Sequence, residues 1–335
     1  MAGTGPSAAA PKRPEPTRRR IPRPRLRRLL LLSGLLLPLL LLVMLVGGWL
    51  YARSVFDKID RVEVAEVLSH GGEGTNYLIV GSDSRDPADL EEAGLNPEAF
   101  EDGGGQRSDT MLVLRFADGA AQMLSVPRDL FVPIAETGGS AKINAAFNGG
   151  PKRLILTIQQ ALGIPIHHYL EVDFVSFAKL VDSLGGVTID FPNPAFDTHS
   201  GLDVPQSGAV ELDGAQALAF VRSRHYTEVI DGKNRTDPTG DLGRVTRQQQ
   251  FLTAVLSKLG QSKNPVSLAR AANSASGGLR IDDTIGLLDA ARLGWRLRGM
   301  HPTTVILPVT VGRNSAGSVV FLKQPEADQT LAGFK

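Results

Sequence analysis

Residues 111–126, MLVLRFADGAAQMLSV, decide the fold. Two runs of apolar, β-forming residues, 111–116 and 122–126, flank Ala117, Asp118, Gly119 and Ala120. Asp-Gly between two such runs is a strong signal for a two-residue hairpin turn. A third run of the same character, YLIV at 77–80, precedes them, so three sequential antiparallel strands are predicted.

Downstream the periodicity changes. A helix is predicted over 153–162, stopped by Gly163 and Pro165, and another over 174–184. The second has Asp173 as its cap, an apolar stripe of Phe174, Phe177, Leu180, Val181 and Leu184, and Gly185 as its stop. A short strand follows at 187–189, then helices near 214–219, 244–259 and 284–297 and strands at 304–307 and 318–322. Residues 223–239 and the Ser- and Gly-rich 271–278 read as loops. The sum is an α/β, sandwich-like domain with a central mixed sheet covered by helices, placed at 75–325.

The chain has 335 residues, 42% of them hydrophobic, enough for a well-buried core. Its net charge of +1 conceals an asymmetry. Residues 1–28 hold nine Lys or Arg against the single acid Glu15, so the rest carries 27 bases and 34 acids, a net of −7. Residues 29–50 contain no charged side chain, and about 20 apolar residues span a bilayer as a helix. Pro38 is tolerated in such a helix because its freed backbone groups find other partners. The basic flank stays in the cytoplasm, which sends the rest of the chain outside. The expected organisation is a disordered basic tail (1–28), a transmembrane helix (29–50) and a juxtamembrane connector (51–74) that ends in Gly71, Gly72 and Gly74, followed by one extracytoplasmic domain. A cleaved signal peptide fits less well, since its apolar region runs about 7–15 residues before a small-residue cleavage site. The basic tail sets topology rather than binding nucleic acid. The absence of cysteine removes disulfides, thiolate catalysis and cysteine-ligated metals.

The three strands also gather chemistry. Asp83 follows the first, Asp109 precedes the second and Arg128 follows the third, so sequential antiparallel pairing brings all three to one end of the sheet. Arg107 joins them by its i, i+2 spacing to Asp109. Two carboxylates and two guanidinium groups suit a hard cation bridging a phosphate, and equally an ordinary surface ion-pair cluster. A second group holds Arg222 and Arg224, with Arg244, Arg247 and Gln248 on one helical face opposite Val245, Leu252, Val255, Leu256 and Leu259. Arginine's planar fork matches phosphate oxygens, and a solvated basic face is the alternative. No Walker or dinucleotide glycine loop and no Gly-x-Ser-x-Gly elbow is present. His167 and His168 lack zinc spacing and read as structural.

Seven segments in order, NYLIVGSDSR (76–85), RSDTML (107–112), SVPRDL (125–130), KINAA (142–146), YLEVDFVSFAKLVDSLGG (169–186), LDGAQALAFVRSRH (212–225) and DLGRVTRQQQF (241–251), resemble the LytR-CpsA-Psr family over roughly 75–310. The resemblance implies a Mg²⁺-dependent phosphotransferase that moves a glycopolymer from a polyprenyl-pyrophosphate carrier to a peptidoglycan hydroxyl as a phosphodiester. It implies Asp83 and Asp109 as magnesium ligands. Arg107, Arg128, Arg222, Arg224, Arg244, Gln248 and Lys142 would form the pyrophosphate-binding set, with Arg107, Arg128, Arg222 and Arg224 stabilising the leaving phosphate. The polyprenyl chain would occupy an apolar tunnel between sheet and helices. Asp129 is a candidate general base because it adjoins Arg128. Two stretches depart from the family pattern, the long Gly-rich segment between Asp83 and Asp109 and the long segment 226–240. A polyprenyl-pyrophosphate hydrolase, or a non-enzymatic wall-binding or regulatory protein, are the competing functions.

Overall fold

The computed structural model describes residues 23–82, 108–261, 265–297, 300 and 302–335, with the side chains of 23–38, 108, 109, 241, 242 and 265–270 excepted. The chain divides after Tyr51 into two units. Helix α1 (Arg23–Phe56) holds an 18-residue stretch, Leu39–Phe56, long and apolar enough to cross a membrane. Its side chains from Leu39 to Leu50 are exposed.

After the last residues of α1, the second unit continues with β1 (Asp60–Val62), a 3-10 turn and β2 (Thr75–Ser82). Val62, Val64 and Leu68 are buried in the main core, so the segment expected as a connector contributes to the fold. Strands β3 (Ser108–Ala117) and β4 (Ala120–Ser125) follow, and both pair as the sequence predicts. Tyr77 faces Leu114 across β2–β3, and Leu114 faces Met123 across β3–β4, all antiparallel. Asp118 and Gly119 take φ of 50° and 75°, the left-handed pair a two-residue hairpin requires.

Next come the β5–β6 hairpin (Phe131–Pro133, Ser140–Lys142), the short α2 (Asn144–Phe147), α3 (Pro151–Leu162), β7 (His168–Asp173) and α4 (Phe174–Ser183). Asp173 caps α4, accepting from the Ser176 amide at 2.6 Å. Strands β8 (Val187–Phe191), β9 (Ala195–Asp197), β10 (Leu202–Val204) and β11 (Gly208–Leu212) lead to α5 (Gly214–Arg222), whose cap Asp213 accepts from Gln216. After these lie β12 (Thr227–Ile230), β13 (Lys233–Thr236), α6 (Asp241–Gln261), α7 (Pro265–Ser276), β14 (Leu279–Asp282) and α8 (Leu287–Leu297). The chain finishes with β15 (Thr303–Ile306), the β16–β17 hairpin (Val309–Asn314, Gly317–Leu322) and α9 (Glu326–Ala332).

The central sheet runs β1-β14-β7-β2-β3-β4-β15 among the described residues. It is mixed: β2 and β7 are parallel, as are β4 and β15, while the meander is antiparallel. Both faces are covered, which explains why β3 reads as a continuous apolar run rather than an alternating one. Met111 and Val113 pack with Leu78, Val80 and Leu124 against Leu154, Ile155 and Ile158 of α3. Leu112, Leu114 and Phe116 face the other way, toward Leu252 of α6 and Leu293 and Leu297 of α8. A second core joins Phe174 and Val181 of α4 to Phe191, Phe220 and Phe251.

Two expected loops are ordered instead. Residues 271–276 end α7, where buried Ala271 and Ser276 override the weak helix preference of a Ser-rich stretch. Within 223–239 lies the β12–β13 hairpin, turned by Asp231 and Gly232 at φ of 51° and 71°. The same Asp-Gly signal that revealed the first hairpin was present here too.

Candidate active site

Register fixes one end of the sheet as the place where strand ends collect. Ser82 ends β2 opposite Ser108, Asp173 ends β7 beside Ser82, and Ser125 closes β4 opposite Leu112. A cavity of about 360 Å³ opens there, lined by Thr110, Met111, residues 125–129, Arg244, Val245, Gln248 and the hairpin residues Val311 and 318–320.

Arg128 reaches this cavity on a segment locked from several sides. Its carbonyl accepts from the Asn144 amide at 3.1 Å, and that of Asp129 accepts from Val320 at 3.0 Å. Leu130, fully buried, anchors the next position. The Asp129 carboxylate stands between two cations, 2.8 Å from Lys142 Nζ and 3.5 Å from Arg128 Nε. Asp129 therefore pairs with both basic groups, while Lys142 is not itself among the residues lining the cavity.

Arg244 and Gln248 come from the first turns of α6. Their face is not solvated: Arg244, Arg247 and Gln248 are 3%, 6% and 6% exposed. Gln248 Nε2 donates to the Val221 carbonyl at 3.2 Å, and Arg247 Nη2 donates to that of Ser223 at 2.7 Å. These are carbonyls at the C-terminal end of α5, which lack partners within their own helix. The guanidinium of Arg247 also binds Asp237 at 3.0 Å and lies 4.7 Å from the centre of the Tyr226 ring. Burial by itself raises the Asp237 pKa, but hydrogen bonds from Thr239 and Arg247 outweigh it and hold the carboxyl below its ordinary value.

Arg222 and Arg224 flank the same pinned segment and are not among the residues lining the cavity. The Arg222 guanidinium lies 5.5 Å above the Phe174 ring, next to Asp173 at the same sheet end. The Arg224 amide donates to Asp197 at 3.0 Å. Asp83, Arg107 and the side chain of Asp109 lie outside the described residues, although Asp109 itself is the second residue of β3 and its neighbour Thr110 lines the cavity.

Sequence reasoning missed the β16–β17 hairpin wall, the Asp237 clamp and the buried Asp197. The last two sit in or beside turns whose partners are distant in the chain, so no local pattern announces them. Asp197 accepts hydrogen bonds from Ser223 Oγ at 2.6 Å and from the amides of Arg224 and His225 at 3.0 and 2.9 Å.

The profile of the LytR_cpsA_psr family matches residues 52–334, all of the second unit but its last residue. The chain belongs to the LytR-CpsA-Psr family. Among LytR-CpsA-Psr relatives, a probable cell wall biosynthesis protein LcpB of Corynebacterium glutamicum is 32% identical over 315 residues, 91% of this chain and 70% of the relative. The polyisoprenyl-teichoic acid–peptidoglycan teichoic acid transferase TagU of Bacillus mycoides is 32% identical over 221 residues, 64% of this chain and 67% of that one. The solved structure of a LytR-Csp2A-Psr enzyme from Actinomyces oris superposes with a TM-score of 0.67 at 29% identity, covering 82% of this chain and 95% of that one. All seven quoted segments fall within the matched residues of this LytR-CpsA-Psr chain.

Proposed function

We propose that the protein is a membrane-anchored phosphotransferase, moving a glycopolymer from a polyprenyl diphosphate outside the cell membrane to a hydroxyl of peptidoglycan. The observation that carries this reading is the convergence of Arg128, Arg244 and Gln248 on one cavity at the strand ends, with Lys142 paired to Asp129 on its wall. The names of the relatives support a wall-polymer transfer. The basic tail and the apolar helix support anchoring with the second unit outside.

Phosphoryl transfer asks the protein for position and charge neutralisation rather than covalent chemistry. The acceptor hydroxyl attacks the phosphorus that bears the glycan, the bond from that phosphorus to the polyprenyl phosphate oxygen breaks, and the hydroxyl proton is released to solvent. Arg128, paired with Asp129, and Arg244, on the helix that Arg247 and Gln248 tie to the end of α5, would meet the growing negative charge with little reorganisation, and each such donor is worth roughly 10²–10³ in rate. The resemblance would place the lipid in the apolar layer between the sheet and its covering helices. A second cavity of about 360 Å³, lined by Tyr226, Glu228, Arg235 and Asp237 and sharing Pro238 with the first, would receive the acceptor glycan.

Hard cations such as Mg²⁺ prefer carboxylate oxygens. The resemblance implies Asp83 and Asp109 as the residues that would hold the ion, while Asp129 is engaged by Lys142 and Arg128. Bound there, it would neutralise diphosphate charge.

The test is incubation of the purified chain with a polyprenyl-diphosphate glycan, Mg²⁺ and peptidoglycan. A covalent glycan–peptidoglycan conjugate with stoichiometric polyprenyl phosphate, lost on chelation and restored by Mg²⁺, is expected. Polyprenyl phosphate released equally with and without acceptor would instead identify a hydrolase, and no turnover at all would overturn the assignment.

A further inference from the structure

The turn between β9 and β10 meets the segment after α5 at a cluster that the transfer chemistry does not use. Asp197 ends β9, His199 lies two residues on, and His225 follows α5. We propose that Asp197, His199 and His225 form a binding site for a divalent transition-metal ion of the zinc, nickel or copper type.

One possible ligand atom from each residue lies within 4.8 Å of the other two, and among the described residues this is the group with that geometry. Donors around a tetrahedral ion at ~2.1 Å stand ~3.4 Å apart. The two imidazoles are exposed and free to close the difference by rotating about their side-chain bonds. The two rings already adjoin, tilted, with centroids 4.3 Å apart and planes inclined by 33°. His199 Nδ1 is 3.7 Å from Asp197 Oδ1.

The carboxylate is the fixed point. It is completely buried, and besides Ser223, Arg224 and His225 it accepts from the amides of His199 at 2.9 Å and Ser200 at 3.4 Å. A negative charge held rigidly beneath two solvent-facing imidazoles attracts a divalent cation. Two nitrogen donors and one oxygen select a borderline metal over Mg²⁺. Such an ion would staple the β9–β10 turn to the segment bearing Arg224, one residue before His225.

The experiment uses the full chain in detergent micelles, free of any affinity tag and stripped of metal, titrated calorimetrically with Zn²⁺ and, for geometry, spectroscopically with Co²⁺. One saturable site per chain is expected, with a Zn²⁺ dependence of the thermal midpoint. His199→Ala and His225→Ala should each weaken Zn²⁺ binding at least tenfold and remove the Co²⁺ bands. His70→Ala, at an exposed histidine elsewhere, and a large excess of Mg²⁺ should change neither. Absence of saturable binding, retention of it in both histidine variants, or equal loss in His70→Ala would overturn the proposal. The two histidine variants keep the test decisive even if Asp197→Asn fails to fold.

Discussion

Arg247 donates a 2.7 Å hydrogen bond to the carbonyl of Ser223, and so ties the helix that carries Arg244 and Gln248 to the segment that carries Arg222 and Arg224. The same guanidinium binds Asp237 at 3.0 Å, so one planar fork holds two loops at once. Lysine cannot span both partners. Arg247→Lys should cost about 1–3 kcal/mol of stability, since a buried acceptor is left unmet, and should lower transfer activity through misplacement of Arg244. Denaturation midpoints measured beside the conjugate assay check this; unchanged activity would remove the positioning role.

Arg128 and Arg244 both line the cavity and contribute charge to it. Arg128→Ala should reduce turnover by roughly 10²–10³ while the fold is retained, with Arg128→Lys intermediate because a point charge replaces a fork. Arg244→Gln should show a similar loss. Rates within twofold of the parent protein for both would remove them from the phosphate site.

Gly243, in the first turn of α6, has Asp237 and Thr239 directly where a Cβ would stand. Gly243→Ala must push Asp237 aside and weaken its pairing with Arg247. The expected cost is about 1–3 kcal/mol, with a loss of transfer that parallels Arg247→Lys. A double variant no worse than either single one would show that both act through the same clamp.

Asp282 tests the pH dependence of the fold away from the cavity. Its buried carboxylate accepts from the Tyr169 amide at 2.9 Å and pairs with His168 at 3.3 Å and with Thr284, joining β14 to β7. Burial works to raise its pKa, but the hydrogen bonds from His168, Thr284 and Tyr169 leave it below the ordinary 3.8. A depressed carboxyl stabilises the fold above its unfolded pKa and loses that contribution as pH falls through the folded value. Stability should therefore decline as pH drops below about 4, and Asp282→Asn should be less stable at neutral pH with a flatter acid limb. Equal acid limbs in urea titrations of the two proteins would refute this.

Much of the architecture was legible locally. The Asp118-Gly119 turn, the Asp173 cap and the apolar stripe from Phe174 are complete within a few residues, and turn chemistry and periodicity act at that range. The β12–β13 hairpin carried an equally local signal at Asp231-Gly232, and α7 was obscured by small residues whose helical state depends on packing against α4. The candidate site was legible only as residue types. That the Arg244–Gln248 face of α6 is buried rather than solvated goes with the hydrogen bonds of Arg247 and Gln248 to carbonyls at the end of α5, and Arg128 joins Arg244 and Gln248 in one cavity on a segment held by Asn144 and Val320.

By itself, then, the sequence determined the apolar N-terminal helix, the three-strand meander and the stock of arginines and carboxylates near strand ends, because these depend on hydropathy, turn preference and residue chemistry over short spans. Tertiary structure decided which arginines share a cavity, which one is spent on clamping two loops, and that Asp197 meets His199 and His225. Most of those relations, His225 to Asp197 and Arg247 to Ser223 among them, join segments far apart in the chain, and only the packing of α5 and α6 beside the sheet brings them together.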